Sequence, residues 1–324
     1  MATMQYDSKA GLVLSAVHDS MAQSINALYE CENKEELVKY LHASLCSHPK
    51  TTLIAATKAG YLRGFPALTA EAIGKYIKIE EATEAGHMRT TPRGTRSTTK
   101  RTLRGRPKST PENETEERAA AMEDAVTIPE KEPNNVKTKV VYMTVTLAEN
   151  WVASDQTGAF PRVSSRGNRG ISVFYIYDPN FIKGVPIASR HRQDLLSAYK
   201  TVYKYCEDRG FKPHLHRMDN ETSAEVEEFI KTQNVEIQYS PPDRHCAPAE
   251  RAVQTFKAGF KSVIASLPKE FHMGLWCRLI QQTELGVNIV RPCRTNLRLS
   301  AWAAMEGEYH FHVTPIAPPG SKML

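Results

Sequence analysis

"KPHLHRMDNETSAEVEEFIKTQNVEIQYSPPDRHCAPAERAVQTFKAGFKSVIASL", residues 212–267, changes period three times. "KPHLHRMD" and "VEIQYSPP" read as short strands, each closed by turn-forming residues. "TSAEVEEFIKTQN" reads as a helix opened by a capping box, Thr222 with Glu225. From Pro248 onward, Ala249, Ala252, Val253, Phe256, Phe260, Val263, Ile264 and Leu267 recur at spacings of three and four. That is the apolar stripe of an amphipathic helix. Pro248 suits the first helical position and Pro268 stops the helix. Strand–helix–strand–helix succession places parallel strands beside crossover helices.

Upstream the pattern is strand-like from Val136. "TKVVYMTVTLA" and "NWVASD" form an expected hairpin. "GISVFYIYD" and "FIKGVPIAS" are two further strands joined at Asp178-Pro179-Asn180. "RQDLLSAYKTVYKYCEDRG" is a helix with Leu195, Leu196, Tyr199, Val202, Tyr203 and Cys206 on one face, ended by Gly210. Antiparallel strands followed by strand–helix alternation predict an α/β fold: a mixed sheet with helices on both faces.

The other face of the last helix carries Glu250, Gln254, Lys257 and Lys261. At ~100° per residue these fall within roughly 60° of one another. An acid in a first turn is ordinary, because the helix dipole favours it there. Its setting is less ordinary. Asp155 and Asp219 each end a predicted strand, and Glu250 opens the helix after another. Ligands collect at such strand ends and helix starts. Three carboxylates gathered there need cations, and all-oxygen ligation suits Mg²⁺ or Mn²⁺. Two ions about 4 Å apart activate a nucleophile and stabilise the leaving oxygen of a phosphodiester. Gln254, Lys257 and Lys261 then lie where nucleic-acid phosphate must pass. Competing acids have local explanations. Asp178 suits a turn, Asp194 and Asp208 suit helix ends, and Glu221 belongs to a capping region.

"SDQTGAFPRVSSRGNRGISVFYIYD", "HRMDNETS" and "PPDRHCAPAERAVQTFK" together resemble the integrase core of LTR retrotransposons, a DDE-type, retroviral-integrase-like catalytic core. The similarity spans roughly residues 136–310. It extends more weakly to "ELVKYLHASL", which resembles a region preceding the core in some of these elements. The resemblance implies a ribonuclease H-like mixed five-stranded sheet flanked by helices, with a small N-terminal helical region. It implies that Asp155, Asp219 and Glu250 are the catalytic triad and the metal ligands, holding two Mg²⁺ or Mn²⁺ ions. The activity implied is 3′-end processing and strand transfer of element DNA into target DNA. DNA is the partner, the chain forms a homo-oligomer, and no membrane is involved. The place of action is the nucleus, after synthesis in the cytoplasm. Two departures stand out. Only thirty residues, Asn220 to Ala249, separate the second and third acids, fewer than is usual in the family. Cys246 and Pro248 precede Glu250 where relatives often carry an Asn. Two other readings compete: a catalytically silent nucleic-acid-binding or assembly module, and a general nuclease of the same fold.

The rest of the chain divides by composition. Residues 1–88 read as short helices, among them "NKEELVKYLHASL" with Asn33 as cap and Glu36 three residues on, and "ALTAEAIGKYI". His18, Cys31, His42, Cys46 and His48 fall here without a second ligand pair at zinc-finger spacing. Residues 89–137 are a linker. Eight Lys/Arg and no acid lie between Arg89 and Lys108, then eight acids and two bases between Glu112 and Glu132, so this stretch buries no core. Its "RGRPK" resembles the AT-hook, which implies that Arg104 and Arg106 enter an A·T minor groove. A generic basic tether reads the same residues as well. The core is expected over 138–305 and a tail over 306–324. The chain of 324 residues is 41% hydrophobic with a formal charge of +6. Six scattered cysteines without a C-x-x-C point to a reducing, intracellular setting. No apolar run approaches the ~18 residues of a membrane span.

Overall fold

In the computed structural model, which describes residues 31, 33–87, 149–219, 223–240 and 246–321, strand β1 (Trp151–Gln156) lies at the centre of a mixed sheet. The other strands are β2 (Gly170–Ile176), β3 (Phe181–Ile187), β4 (Leu215–Met218) and β5 (Glu236–Tyr239). Their order is β3-β2-β1-β4-β5. β1 and β2 pair antiparallel, as do β2 and β3, whereas β4 pairs parallel with both β1 and β5. The expected α/β fold with a five-stranded mixed sheet flanked by helices is the one found. The "TKVVYMTVTLA" partner of the expected hairpin lies outside the described residues.

Side chains alternate across β1, and the alternation assigns its two faces. Trp151 and Ala153 join Ile171, Val173 and Tyr175 beneath helix α7 (Ala247–Ala265), which contributes Ala249, Ala252, Val253, Phe256, Phe260 and Val263. Val152 joins Phe174 and Ile176 beneath helices α5 (Arg192–Asp208) and α6 (Ala224–Thr232). The predicted apolar stripe of α7 is buried, save that Ile264 and Leu267 are only partly so. Gly210, at φ +72, closes α5 in the left-handed conformation that glycine adopts without strain. Asn180 makes the β2–β3 turn at φ +58.

Two local expectations shift by a residue. Helix α6 is capped by Ser223 rather than Thr222, and no side-chain capping bond forms there. Thr222 itself lies outside the described residues. Helix α7 begins at Ala247, after Cys246, so Pro248 takes the second helical position. Proline is tolerated there for the same reason, since N–H groups of the first turn have no intrahelical acceptor.

The N-terminal segment forms α1 (Lys34–Ser44), α2 (Lys50–Lys58), α3 (Ala70–Tyr76) and α4 (Glu81–His87). Asn33 caps α1, accepting from Glu36 N at 3.0 Å and donating to Glu36 Oε1 at 2.9 Å, a reciprocal pair. These helices belong to the same compact unit as the sheet, residues 1–88 with 147–324. Val38, Leu41, Leu45 and Leu53 pack with Leu285 and Ile289 of α8 (Ile280–Ile289). The nearby imidazoles and thiol are engaged in packing bonds. His42 meets Glu80 Oε2 at 3.1 Å and His48 O at 2.8 Å, His48 meets Gly286 O at 2.9 Å, and Cys46 meets Gln282 O at 3.5 Å. Helix α8 also covers the edge strand β3. The Asn288 amide accepts from Ile182 N and donates to Ile182 O, both at 2.8 Å, replacing a missing sheet partner. A 3₁₀ turn (Met273–Leu279) leads into α8, and α9 (Ala301–Glu306) follows it. Among the described residues no helix is long and apolar enough to cross a membrane.

Candidate active site

The parallel ladder of β1 and β4 pairs Trp151 with Leu215, Val152 with His216 and Ala153 with Arg217. Carrying the same register two residues further sets Asp155 opposite Asp219. Both acids therefore stand at the carboxyl ends of adjacent parallel strands, where crossover connections leave a crevice. Asp155 follows Trp151 and Ala153 in the alternation, so it points to the α7 face. Its Oδ1 accepts from the backbone N–H of Gln156 at 2.6 Å, which fixes the carboxylate against its own strand.

The start of α7 reaches this same edge. Burial pushes the Cys246 thiol upward in pKa, the Arg217 charge lowers it and the Asp155 charge raises it again, so Cys246 sits among these groups. Glu250 N donates to Cys246 O at 2.9 Å, one turn along. The Glu250 side chain is exposed and accepts from Gln254 Nε2 at 3.1 Å. Gln254 and Lys261 are exposed and Lys257 is half-buried, on the stripe that the helical phase gives. Neither lysine forms an ion pair among the described residues. Arg104 and Arg106 lie outside the described residues.

The structure thus brings Asp155 and Asp219 to matched positions and sets Glu250 on the adjoining helix. It does not draw all three together: among the described residues, no group of three or more His, Cys, Asp or Glu is close enough to hold one ion. The donor chemistry nonetheless fits a hard divalent cation, being carboxylate oxygen throughout.

On the opposite face of β1 the polar groups are fully used. Ser154 Oγ lies 2.7 Å from Tyr199 Oη and 2.8 Å from His216 Nε2, and Tyr203 Oη lies 2.9 Å from His216 Nδ1. Burial draws the His216 pKa down from the usual 6.5 to about 3, so the ring is neutral, one nitrogen donating and the other accepting. This network underlies the strand that carries Asp155. Sequence reading missed it, although the alternation of β1 and β4 sets Ser154 and His216 on one face.

Three arginines were also missed. Arg251 is next to Glu250 on α7, within the quoted motif, and its position beside the acid was the available signal. Arg291 and Arg294 follow α8, and nothing in the local pattern links them to Arg251.

No protein-family model matches the chain, and no curated protein sequence matches it. Solved structures do. The catalytic core domain of bovine immunodeficiency virus (BIV) integrase is 10% identical with a TM-score of 0.36, over 48% of this chain and 93% of that one. The catalytic core domain of HTLV-2 integrase, in complex with magnesium in a trimeric form, is 13% identical with a TM-score of 0.38, over 49% of this chain and 99% of that one.

Proposed function

We propose that this chain is an integrase of the LTR-retrotransposon type, a polynucleotidyl transferase that trims 3′ ends of element DNA and joins them to target DNA in the nucleus. The observation that carries the reading is the β1–β4 register, which sets Asp155 and Asp219 side by side at the strand ends next to the start of α7. Asp155, Asp219 and Glu250 would hold Mg²⁺ or Mn²⁺, which would supply Lewis acidity for the attacking and leaving oxygens of a phosphodiester. Glu250 reaches the site by releasing the Gln254 amide, a side-chain exchange at an exposed position. Gln254, Lys257 and Lys261 bind the DNA backbone along α7 and fix the phosphodiester relative to the acids. Water attacks in the first step and a DNA 3′-hydroxyl in the second, so one geometry serves both. A homo-oligomer supplies the two sites that joining two ends requires.

A second reading is a silent DNA-binding or assembly module, favoured by the Glu250–Gln254 bond and by the lack, among the described residues, of three acids gathered to hold one ion. Joining of short duplex ends in Mn²⁺ separates the two. The integrase reading expects joined product. It expects Asp155→Asn, Asp219→Asn or Glu250→Gln each to reduce joining by on the order of 10²–10³-fold, the scale of losing one electrostatic stabiliser. Duplex bound but never joined supports the silent module, and cleavage without joining supports a nuclease.

A further inference from the structure

A cavity of about 350 Å³ lies on the flank of α7 away from Gln254, bounded by Ala247–Thr255 of that helix and by the ends of β1 and β2. Its volume is at the small end of ligand pockets, ~300–1,000 Å³. Three guanidiniums line it, Arg251, Arg291 and Arg294, and no acid among the described residues does. The wall behind them is aromatic. Trp151 and Tyr177 stack at 4.4 Å, Arg294 lies 4.5 Å over Tyr177, and its Nε donates to Tyr175 Oη at 2.7 Å. Arg291 is held by the Asn180 carbonyl at 3.1 Å and the Asn180 side-chain oxygen at 2.6 Å. Burial and the nearby Arg294 charge both lower its pKa.

Packing alone does not call for this arrangement. Three like charges around one cavity repel, and among the described residues none of them has a carboxylate partner. Guanidinium forks match phosphate oxygens bidentately. An exposed guanidinium plane backed by an aromatic ring, as Arg294 is by Tyr177, stacks on bases of any sequence. A duplex can offer its phosphates to such a site, but its bases are stacked inside; a single strand can offer both. We propose that this pocket binds one nucleotide of a single strand, its phosphate between Arg251 and Arg291 and its base on the exposed Arg294 guanidinium, which Tyr177 supports from behind. The inference rests on the reading that α7 lies on nucleic acid, and it is independent of catalysis.

The test is fluorescence anisotropy of labelled hexathymidylate with the full chain in EDTA, alongside binding and joining of duplex ends. Arg251 is exposed and holds no other side chain among the described residues, so Arg251→Gln melts like the parent while binding the hexamer about tenfold more weakly, one charge-assisted contact. Tyr177→Ala weakens the thymidylate hexamer but not an abasic one. Hexamer binding that follows these variants supports the pocket even if no joining occurs, in which case only the enzymatic reading falls. Duplex binding without hexamer binding, or variants that bind the hexamer as tightly as the parent, overturns the pocket and leaves the DNA reading intact. Equal competition by polyglutamate and by the abasic hexamer also overturns it, showing an anion site indifferent to bases.

Discussion

Ser154 and Asp155 are neighbours on β1 and have opposite fates. Ser154 faces α5 and is enclosed by Tyr199 and His216, with every polar atom of that group bonded to another. Asp155 faces α7 and stands at an edge with Asp219, Cys246 and the start of the helix. Around α7 the charged groups are arranged for something else to complete. Among the described residues, Glu250 is exposed, Lys257 and Lys261 lack ion pairs, and three arginines line a cavity that no acid lines. On the function proposed above, the difference separates polar groups that specify a core from those that meet nucleic acid and metal. Buried polar groups persist when they satisfy one another, and unbalanced ones mark function.

The largest expected effect tests whether the α7 face is as firmly built as the α5 face. Phe256 is fully buried, and its ring packs so closely on Gly184 of β3 that a Cβ there would lie 2.7 Å from it. Phe256→Ala should cost ~3–5 kcal/mol in urea unfolding, with activity lost only through unfolding. The enclosed network should be less costly to open. Tyr203→Phe leaves His216 Nδ1 buried without a partner, a loss of ~1–3 kcal/mol read from the same transition.

Acid should act on the buried imidazoles. His216 is held at about 3 and His48 at about 4, both by burial, whereas the unfolded chain protonates each near 6.5. Below that pH the unfolded state binds more protons, so their contribution is intact above pH 6.5 and shrinks as pH falls toward 4. Thermal midpoints should drop across that window, and His216→Gln should flatten the slope. An unchanged slope contradicts a neutral, buried imidazole. The smallest stability effect belongs to the DNA stripe. Lys257→Glu should shift stability by about 0.5 kcal/mol or less while markedly weakening duplex binding. A variant that unfolds instead would reverse the assignment of helix faces.

Much of this was legible in sequence because period and burial agree. The three-and-four spacing of Ala249, Val253, Phe256 and Phe260 gave the phase of α7, and hence the exposure of Glu250, Gln254 and Lys261. The strand patterns gave β1 to β5 because each is short, apolar and bounded by turn residues. Tertiary placement was not legible. Arg291 and Arg294 meet Arg251 only because α8 returns the chain to β2. Gly86 admits α4 so close to α7 that a Cβ would meet Ser262 Oγ at 1.9 Å, and a lone glycine in a helix announces no such contact. The cap of α6 moved from Thr222 to Ser223 because adjacent hydroxyl residues offer equivalent caps, and the helix start decides between them.

The central claim is that Asp155, Asp219 and Glu250 form a single metal site. Electron paramagnetic resonance of Mn²⁺ titrated into the full chain tests it without requiring turnover. Saturable Mn²⁺ binding in the parent, lost or strongly weakened in each of Asp155→Asn, Asp219→Asn and Glu250→Gln with melting unchanged, is the expected result. Binding that survives Glu250→Gln undiminished while both aspartate variants lose it would contradict a three-carboxylate site.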